Sequence, residues 1–400
     1  MYGNGEQNDI FYEFFRRAWV SLHPQLAALP VVGKGDNNLP TIHVSDLSNA
    51  IDRTLLHGQE FNSYLIAVDQ STCSTQRNIQ TAISKGIGSG EIHEAPMAEV
   101  VNESWCEFMT INVKLETSPD LLEGFEWKCP TGINGETMPM LNEEFNYFRG
   151  LFPLKVFITG PPCSGKTYFA AKLNELYGVP HYQIQDLLAM GLNLQSEFGD
   201  QLRGRIEEMK DAAAEEYMNG PGKKKGAPPF DRDNCHPRLS DDYLAKLVQI
   251  QLSSAACQNK GFILEGFPRS QDDAKAIFTY KREIKKEVDP AAEDGGEVEP
   301  EYEEILDEKI VPQYAIAIEA DDASLVARAK ELPPAQTEGT HHNDAGMVRR
   351  LKEYRARNVE DSGATVKDFF TQAIGYPNVL IIDSMTPESE QLLKMKEIIE

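Results

Sequence analysis

The chain has 400 residues, room for two domains, and its 39 Lys and Arg against 63 Asp and Glu give a formal charge of −24. So acidic a chain repels phosphate backbones, which argues against general nucleic-acid binding but leaves room for a small phosphate ligand in a local basic pocket. The mixture of 41% hydrophobic and 26% charged residues is that of an ordinary globular protein. No apolar run approaches the roughly 20 residues of a membrane span. The six Cys are scattered with no CxxC pair, so nothing reads as a disulfide framework or zinc site, and a reducing, cytoplasmic compartment is expected. The start, MYGNGEQNDIFYEFF, lacks the basic-then-apolar order of a secretory signal.

In chain order, apolar spacing predicts helices over residues 10–22, 47–56 and 78–84, with Asp46 and Ser71 as N-caps, and short strands over 41–44 and 64–68. Gly86-Ile87-Gly88-Ser89-Gly90 has G-x-G-x-G spacing, not G-x-G-x-x-G, and follows a helix; it reads as a helix-end loop. His43 has no Tyr or Lys partner in view and reads as a satisfied structural histidine rather than a base. A helix over 141–149 leads to a division near residue 150. From there the rhythm is strand–turn–helix: short apolar runs at 155–159, 261–264, 315–318 and 379–382, with a helix over 167–177. Such runs between amphipathic helices predict parallel strands covered on both faces, an α/β, doubly wound sheet. Two insertions are expected as loops: the Gly- and Pro-rich residues 219–237, and the acidic residues 287–311, of which 287–308 hold eleven Asp/Glu and no Lys/Arg.

Gly160-Pro161-Pro162-Cys163-Ser164-Gly165-Lys166-Thr167 matches G-x-x-x-x-G-K-[ST] between a predicted strand and a predicted helix, the context a P-loop requires. Gly165 permits the tight turn, backbone N–H groups and the helix start face phosphate oxygens, Lys166 adds a point charge, and the Thr167 hydroxyl is placed for Mg²⁺. A hundred residues on, GFILEGFPR (261–269) is a buried strand ending in Glu265, a carboxylate suited to Mg²⁺ and its waters, followed by Arg269, which can clamp a second phosphate.

GPPCSGKT followed by EGFPR resembles the adenylate kinase family, the nucleoside monophosphate kinases, over residues 150–400. The resemblance implies a P-loop NTPase-type parallel sheet, Mg²⁺ with ATP as cofactor, and transfer of the γ-phosphoryl of ATP to AMP or another nucleoside monophosphate. It implies that Gly160, Pro162, Cys163, Ser164, Gly165, Lys166, Thr167, Tyr168 and Arg328 bind ATP. It further implies that Asp186, Gly266, Phe267, Pro268 and Arg269 bind AMP, that Thr167 and Glu265 serve the metal, and that Lys166, Arg269 and Arg350 are catalytic. AIAIEAD (315–321) resembles the strand before the lid and MVRRLKEY (347–354) the helix returning from it; Arg350 matches a phosphate clamp, whereas Arg349 reads as a solvated partner of Glu353.

The departures from the family's pattern are as specific. Pro161 and Cys163 stand where glycines are usual, Ile184 and Ala189 replace a Thr and an Arg of the acceptor helix, Glu265 replaces Asp, Asp273 replaces a base-reading Gln, and Leu332 and Thr340 replace lid arginines. Each lost charge-assisted contact is worth roughly 1.5–3 kcal/mol. A catalytically weak ATP-binding scaffold therefore stands as the alternative to a kinase.

Residues 1–145 resemble the C-terminal part of the NAD-dependent epimerase family, through YGNGE (2–6), VGKGDN (32–37) and PTIHVSDLSNA (40–50), without its glycine-rich cofactor turn or Tyr-x-x-x-Lys pair. A redox activity from this region is accordingly disfavoured. The combination of this region with a divergent kinase resembles ciliary members of the adenylate kinase family, which implies an axonemal setting with an axonemal protein partner and a chain that begins and ends beyond these residues.

Overall fold

The structure, a computed structural model, describes residues 1–3, 10–20, 28–57, 61–62, 64–71, 74–220, 229–232, 235, 239–283, 302–331, 344–359 and 362–400. They form two compact units, Met1–Pro153 with Ser254–Gly261, and Leu154–Ser253 with Phe262–Glu400.

The first unit holds two parallel strands, β1 (Leu29–Val32) and β2 (Ile92–Ala95), paired in register from Leu29 with Ile92 to Val32 with Ala95. Neither was expected: Pro30 interrupts one apolar run, and the polar His93 and Glu94 sit in the other. The helices Ile10–Val20, Gln76–Ile87 and Met138–Arg149 bury Phe11, Phe14, Phe15, Ile83 and Phe145 in one core. Residues 21 and 22 of the expected first helix lie outside the described residues. The strand expected over 41–44 is a single bridge between Tyr2 and His43, because Val44 already opens the helix Val44–His57. Residues 64–68 form no ladder; Val68 instead donates to Thr117 Oγ1 at 3.3 Å. Asp46 does not cap its own helix. It is fully buried, and its carboxylate accepts the N–H groups of Lys128 and Cys129 at 2.7 and 3.0 Å. Nor does Ser71 cap the third helix: Thr75 does, accepting from Asn78 N at 3.4 Å.

Ser254–Gly261 joins this unit through the helix Ala255–Lys260. Asn259 there is buried and donates to the carbonyls of Gly86 and Ile87 at 3.0 and 3.1 Å, answering the acceptors left over at the end of Gln76–Ile87. The glycine-rich 86–90 segment is indeed that helix's end, with Gly88 and Gly90 both donating to Ser84 O. His43 is enclosed and satisfied. Its Nδ1 accepts from Ser45 N at 3.1 Å, so Nε2 carries the proton toward Glu144 Oε2 at 3.0 Å. Only glycine fits at Gly3, whose Cβ would lie 2.1 Å from His43 Nε2.

The second unit has strands β3 (Leu154–Thr159), β4 (His181–Tyr182), β5 (Gly261–Glu265), β6 (Thr279–Glu283), β7 (Tyr302–Leu306), β8 (Tyr314–Glu319) and β9 (Val379–Asp383). Five form one sheet in the order β4-β5-β3-β8-β9, with parallel pairing of β4 to β5, β3 to β8 and β8 to β9. β3 shows why such strands are apolar at consecutive positions. Val156 and Ile158 pack with Phe169, Leu173 and Met395 on one face, while Phe157 between them meets Phe370 at 4.7 Å on the other.

The acidic tract is not loop throughout. Residues 302–306 are β7, antiparallel to β6 with Arg282 paired to Glu303, because Tyr302, Ile305 and Leu306 supply strand-forming side chains and the intervening acids stay at the surface, where Glu303 finds a cation across the ladder. Residues 284–301 lie outside the described residues. In 219–237, Asn219 ends the helix Glu197–Asn219, and Arg232 binds Glu207 and Asp211 at 2.6 and 2.5 Å; residues 221–228, 233–234 and 236–237 lie outside the described residues. Among the described residues no helix is long and apolar enough to cross a membrane.

Candidate functional site

Because β3 is the central strand and the chain leaves it toward both sheet edges, its carboxyl end is the point at which an open α/β sheet leaves a crevice. The Gly160–Thr167 loop follows it there and runs into the helix Lys166–Tyr177. Gly160 passes so close to β8 that a Cβ would stand 2.7 Å from Ile318 O and 2.7 Å from Ser164 Oγ. Gly165 takes φ +95 and Cys163 φ +62. The side chain at Cys163 thus occupies a left-handed conformation that glycine adopts without cost and other residues at about 1 kcal/mol or more. Its Sγ lies 3.9 Å from Met347 Sδ, beside the cluster of Leu325, Ala329, Met347 and Leu351.

A cavity of about 770 Å³ opens over this loop. Its lining contains Gly160, Pro162, Cys163, Gly165, Lys166, Thr167, Tyr168, Glu265, Gly266, Pro268, Arg269, Arg328 and Arg350 from the sequence-based set. Three members of that set do not line it. Ser164 is buried in the loop and its Oγ has no hydrogen-bond partner among the described residues. Phe267 is fully buried beneath the cavity. Asp186 is exposed, and its carboxylate accepts from Gln183 N at 3.1 Å as half of a capping box on the helix Ile184–Leu192.

Lys166 Nζ donates to Pro161 O at 3.0 Å, which folds its charge back over the loop. Desolvation, helped by Arg350 and Arg269 and opposed by Glu265, pushes its pKa down to about 8. Glu265 accepts from Thr167 Oγ1 at 2.5 Å and from Gln183 Nε2 at 2.8 Å, and meets His181 Nε2 at 2.8 Å. Burial alone would raise its pKa, but these three partners outweigh burial and hold it below the ordinary value, so it stays ionised. Arg328 donates to Cys163 O at 3.3 Å and Ser384 O at 3.0 Å, fixing its guanidinium plane at the cavity wall. Arg349 faces away, 3.8 Å from Glu353. Asp273, in the place of a base-reading Gln, is consumed as a cap: it accepts from Arg269 N and Ser270 N at 3.0 and 3.1 Å. Leu332 and Thr340 lie outside the described residues.

Thr159, Gln183, Gln185 and Arg357 also line the cavity, unmarked by any motif, as do Ile184, in the place of the acceptor-helix Thr, and Glu353 and Tyr354 of the 347–354 run. The spacing 350, 353, 354, 357 is the signal that puts the last three on the face of Arg350. The lining therefore gathers five cations, Lys166, Arg269, Arg328, Arg350 and Arg357, against two carboxylates, Glu265 and Glu353, in a chain of charge −24. The donor set of Thr167 and ionised Glu265 is hard oxygen, the chemistry Mg²⁺ prefers.

The depressed pKa of Lys166 carries a pH prediction. Below pH 8 the amine is already charged, so phosphate binding requires no proton. Above pH 8 it is neutral in the empty cavity, and the charge of a bound phosphate raises its pKa, so binding takes up a proton. Affinity for a phosphate ligand should fall by up to tenfold per pH unit above 8. Calorimetry in buffers of different ionisation heat should show proton uptake at pH 9 and none at pH 7, and Lys166→Arg should remove it.

A parallel sheet, a glycine loop at its switch point, a helix amino terminus and a ring of cations together describe the class of α/β proteins that hold phosphate groups. No protein-family profile matches the chain. Among curated proteins it is similar to adenylate kinase 7 of Macaca fascicularis, 29% identical over 411 residues that cover 99% of this chain and 72% of that protein. It is also similar to adenylate kinase 7 of Mus musculus, 29% identical over 413 residues that cover 62% of that protein. Adenylate kinase of Thermosipho africanus matches over 136 residues at 29% identity, 34% of this chain and half of that enzyme. These likenesses support an adenylate kinase family.

Proposed function

We propose that the chain is a nucleoside monophosphate kinase that transfers the γ-phosphoryl group of ATP to AMP, giving two ADP. The observation that carries this reading is one cavity lined both by Lys166 and Arg350 beside the Gly160–Thr167 loop and by Arg269 on the Gly266–Arg269 segment. An α-phosphate oxygen of the acceptor forms the new bond to the γ-phosphorus, the bond from that phosphorus to the β,γ-bridging oxygen breaks, and the electron pair leaves with the β-phosphate. No group on the protein becomes covalently attached; its work is positioning and charge stabilisation. Lys166 and Arg350 face the transferring group, Arg269 holds the acceptor phosphate, and the fixed plane of Arg328 offers a surface for the ATP base. Thr167 and Glu265 would hold Mg²⁺, which supplies charge neutralisation at the β- and γ-phosphate oxygens.

The scaffold reading retains one specific support: Asp273 is committed to capping, and Ile184 and Ala189 supply no charge on the acceptor side. The two readings part on acceptor binding. A two-nucleotide inhibitor that joins adenosine groups through five phosphates should bind at least tenfold more tightly than ATP and displace both ATP and AMP. Displacement of ATP alone, with affinity equal to ATP, would favour the scaffold.

For residues 1–145 we propose an epimerase-like remnant that binds no NAD, a reading supported by the absent cofactor motif and by a His43 committed to Ser45 and Glu144. An axonemal setting and partner are proposed on the sequence resemblance alone.

A further inference from the structure

Arg357 matches no motif, yet it lines the cavity together with Arg350, two turns earlier on the helix Asp344–Arg357. Seven residues at 1.5 Å each separate the two by about 10 Å along the axis. The middle and the carboxyl end of this helix meet different groups of the site. Arg350 is close enough to Cys163 and Lys166 to act on both electrostatically. At the other end Asn358 donates to Arg269 O at 3.1 Å and accepts from Val366 N at 3.2 Å, which ties the Arg357 end to the Gly266–Arg269 segment. The arginines on the helix's other faces are occupied, Arg349 with Glu353, and Arg355 with Asp322 at 3.0 Å and Ala320 O at 2.6 Å. Arg350 and Arg357 make no hydrogen bond or ion pair among the described residues. The two arginines this helix presents to the cavity thus have no ion-pair partner among the described residues, an arrangement that repels itself until an anion enters.

We propose that Arg357 is an acceptor-side phosphate clamp that takes over the guanidinium lost at Ala189. The inference rests on the kinase reading for the identity of the acceptor, and on the geometry for its place. A planar, bidentate guanidinium suits a phosphate monoester, which AMP carries and adenosine does not.

The experiment compares Arg357→Ala, Arg357→Lys and Arg357→Ala/Ala189→Arg with the unaltered chain, by steady-state kinetics and by direct calorimetric binding of AMP and adenosine. Circular dichroism and Tm establish that each variant is folded. Arg357→Ala should raise KM for AMP, and Kd for AMP, roughly ten- to a hundredfold, with KM for ATP within twofold and adenosine binding unmoved. Arg357→Lys should recover part of the loss, and Ala189→Arg more. Unchanged AMP parameters in an active Arg357→Ala enzyme would overturn the clamp and leave the kinase reading standing. AMP binding weakened by Arg357→Ala in a chain without turnover would uphold the clamp and overturn the kinase reading. No AMP binding in the unaltered chain would overturn both.

Discussion

On the proposed kinase reading, Lys166→Ala should lower kcat for ADP formation by about two to three powers of ten. The amine's charge is folded over the loop by Pro161 O, and among the described residues no other lysine lines the cavity. A single preorganised donor facing developing charge is worth about 2.7–4 kcal/mol, and here the donor carries a full charge in a partly desolvated place. Arg269 and Arg350 stay behind, so the residue of activity that survives is theirs. Lys166→Arg keeps the charge, but its planar, longer head does not reproduce the fold back to Pro161, and it should recover no more than a tenth of the activity. Steady-state kinetics at saturating ATP and AMP read the effect. A fall of less than tenfold in Lys166→Ala would remove this residue from the transition state.

Glu265→Gln is the second large effect. The carboxylate is held ionised by Thr167, Gln183 and His181, and each would meet an altered partner. The glutamine carbonyl can take the place of Oε2 and accept from Gln183 and His181 while its amide donates to Thr167 Oγ1, so the variant keeps the local contacts and loses the charge and one hard oxygen. The Mg²⁺ concentration for half-maximal activity should rise at least tenfold, and kcat should fall about a hundredfold. A third consequence separates electrostatics from simple disruption. Glu265 is the main influence holding the Lys166 pKa up, so its neutralisation moves that pKa below 8. The decline of ATP affinity with pH should then begin at lower pH in Glu265→Gln. A Mg²⁺ midpoint and a pH onset both unchanged would contradict the role assigned to Glu265.

The parts of this fold that could be read from sequence are those where one physical demand dominates. The apolar runs at 155–159 and 379–382 predict parallel strands covered on both faces; both are parallel strands, but only β3 is covered on both, whereas β9 lies at the sheet edge and leaves Ile381 exposed. The glycine loop needs its order of residues, and it sits where that order places it. Four-residue β1 and β2 were hidden because Pro30 and the polar His93–Glu94 carry no period. Asp46 looked like a cap because short acids before a helix usually are; its carboxylate instead serves Lys128 and Cys129, some eighty residues away, a contact no local pattern encodes. The acidic tract was read by charge alone, and charge does not forbid an exposed strand such as β7. In the candidate site, Arg357 carried only a helical spacing, and its meaning depends on which helix face the fold turns toward the cavity. The same holds for Gln183, one turn before Asp186: its amide reaches Glu265 across β4 and β5, whereas Asp186, the residue with the familiar motif, turns out to the helix start.

The measurement that bears most directly on the account is ADP formation by the unaltered chain from Mg²⁺, ATP and a panel of nucleoside monophosphates in a coupled assay. The account predicts two ADP for each AMP consumed, with AMP preferred over the other monophosphates and the signal lost in Lys166→Ala. ATP binding with no ADP formed from any monophosphate, or an ADP signal unaltered in Lys166→Ala, would contradict it.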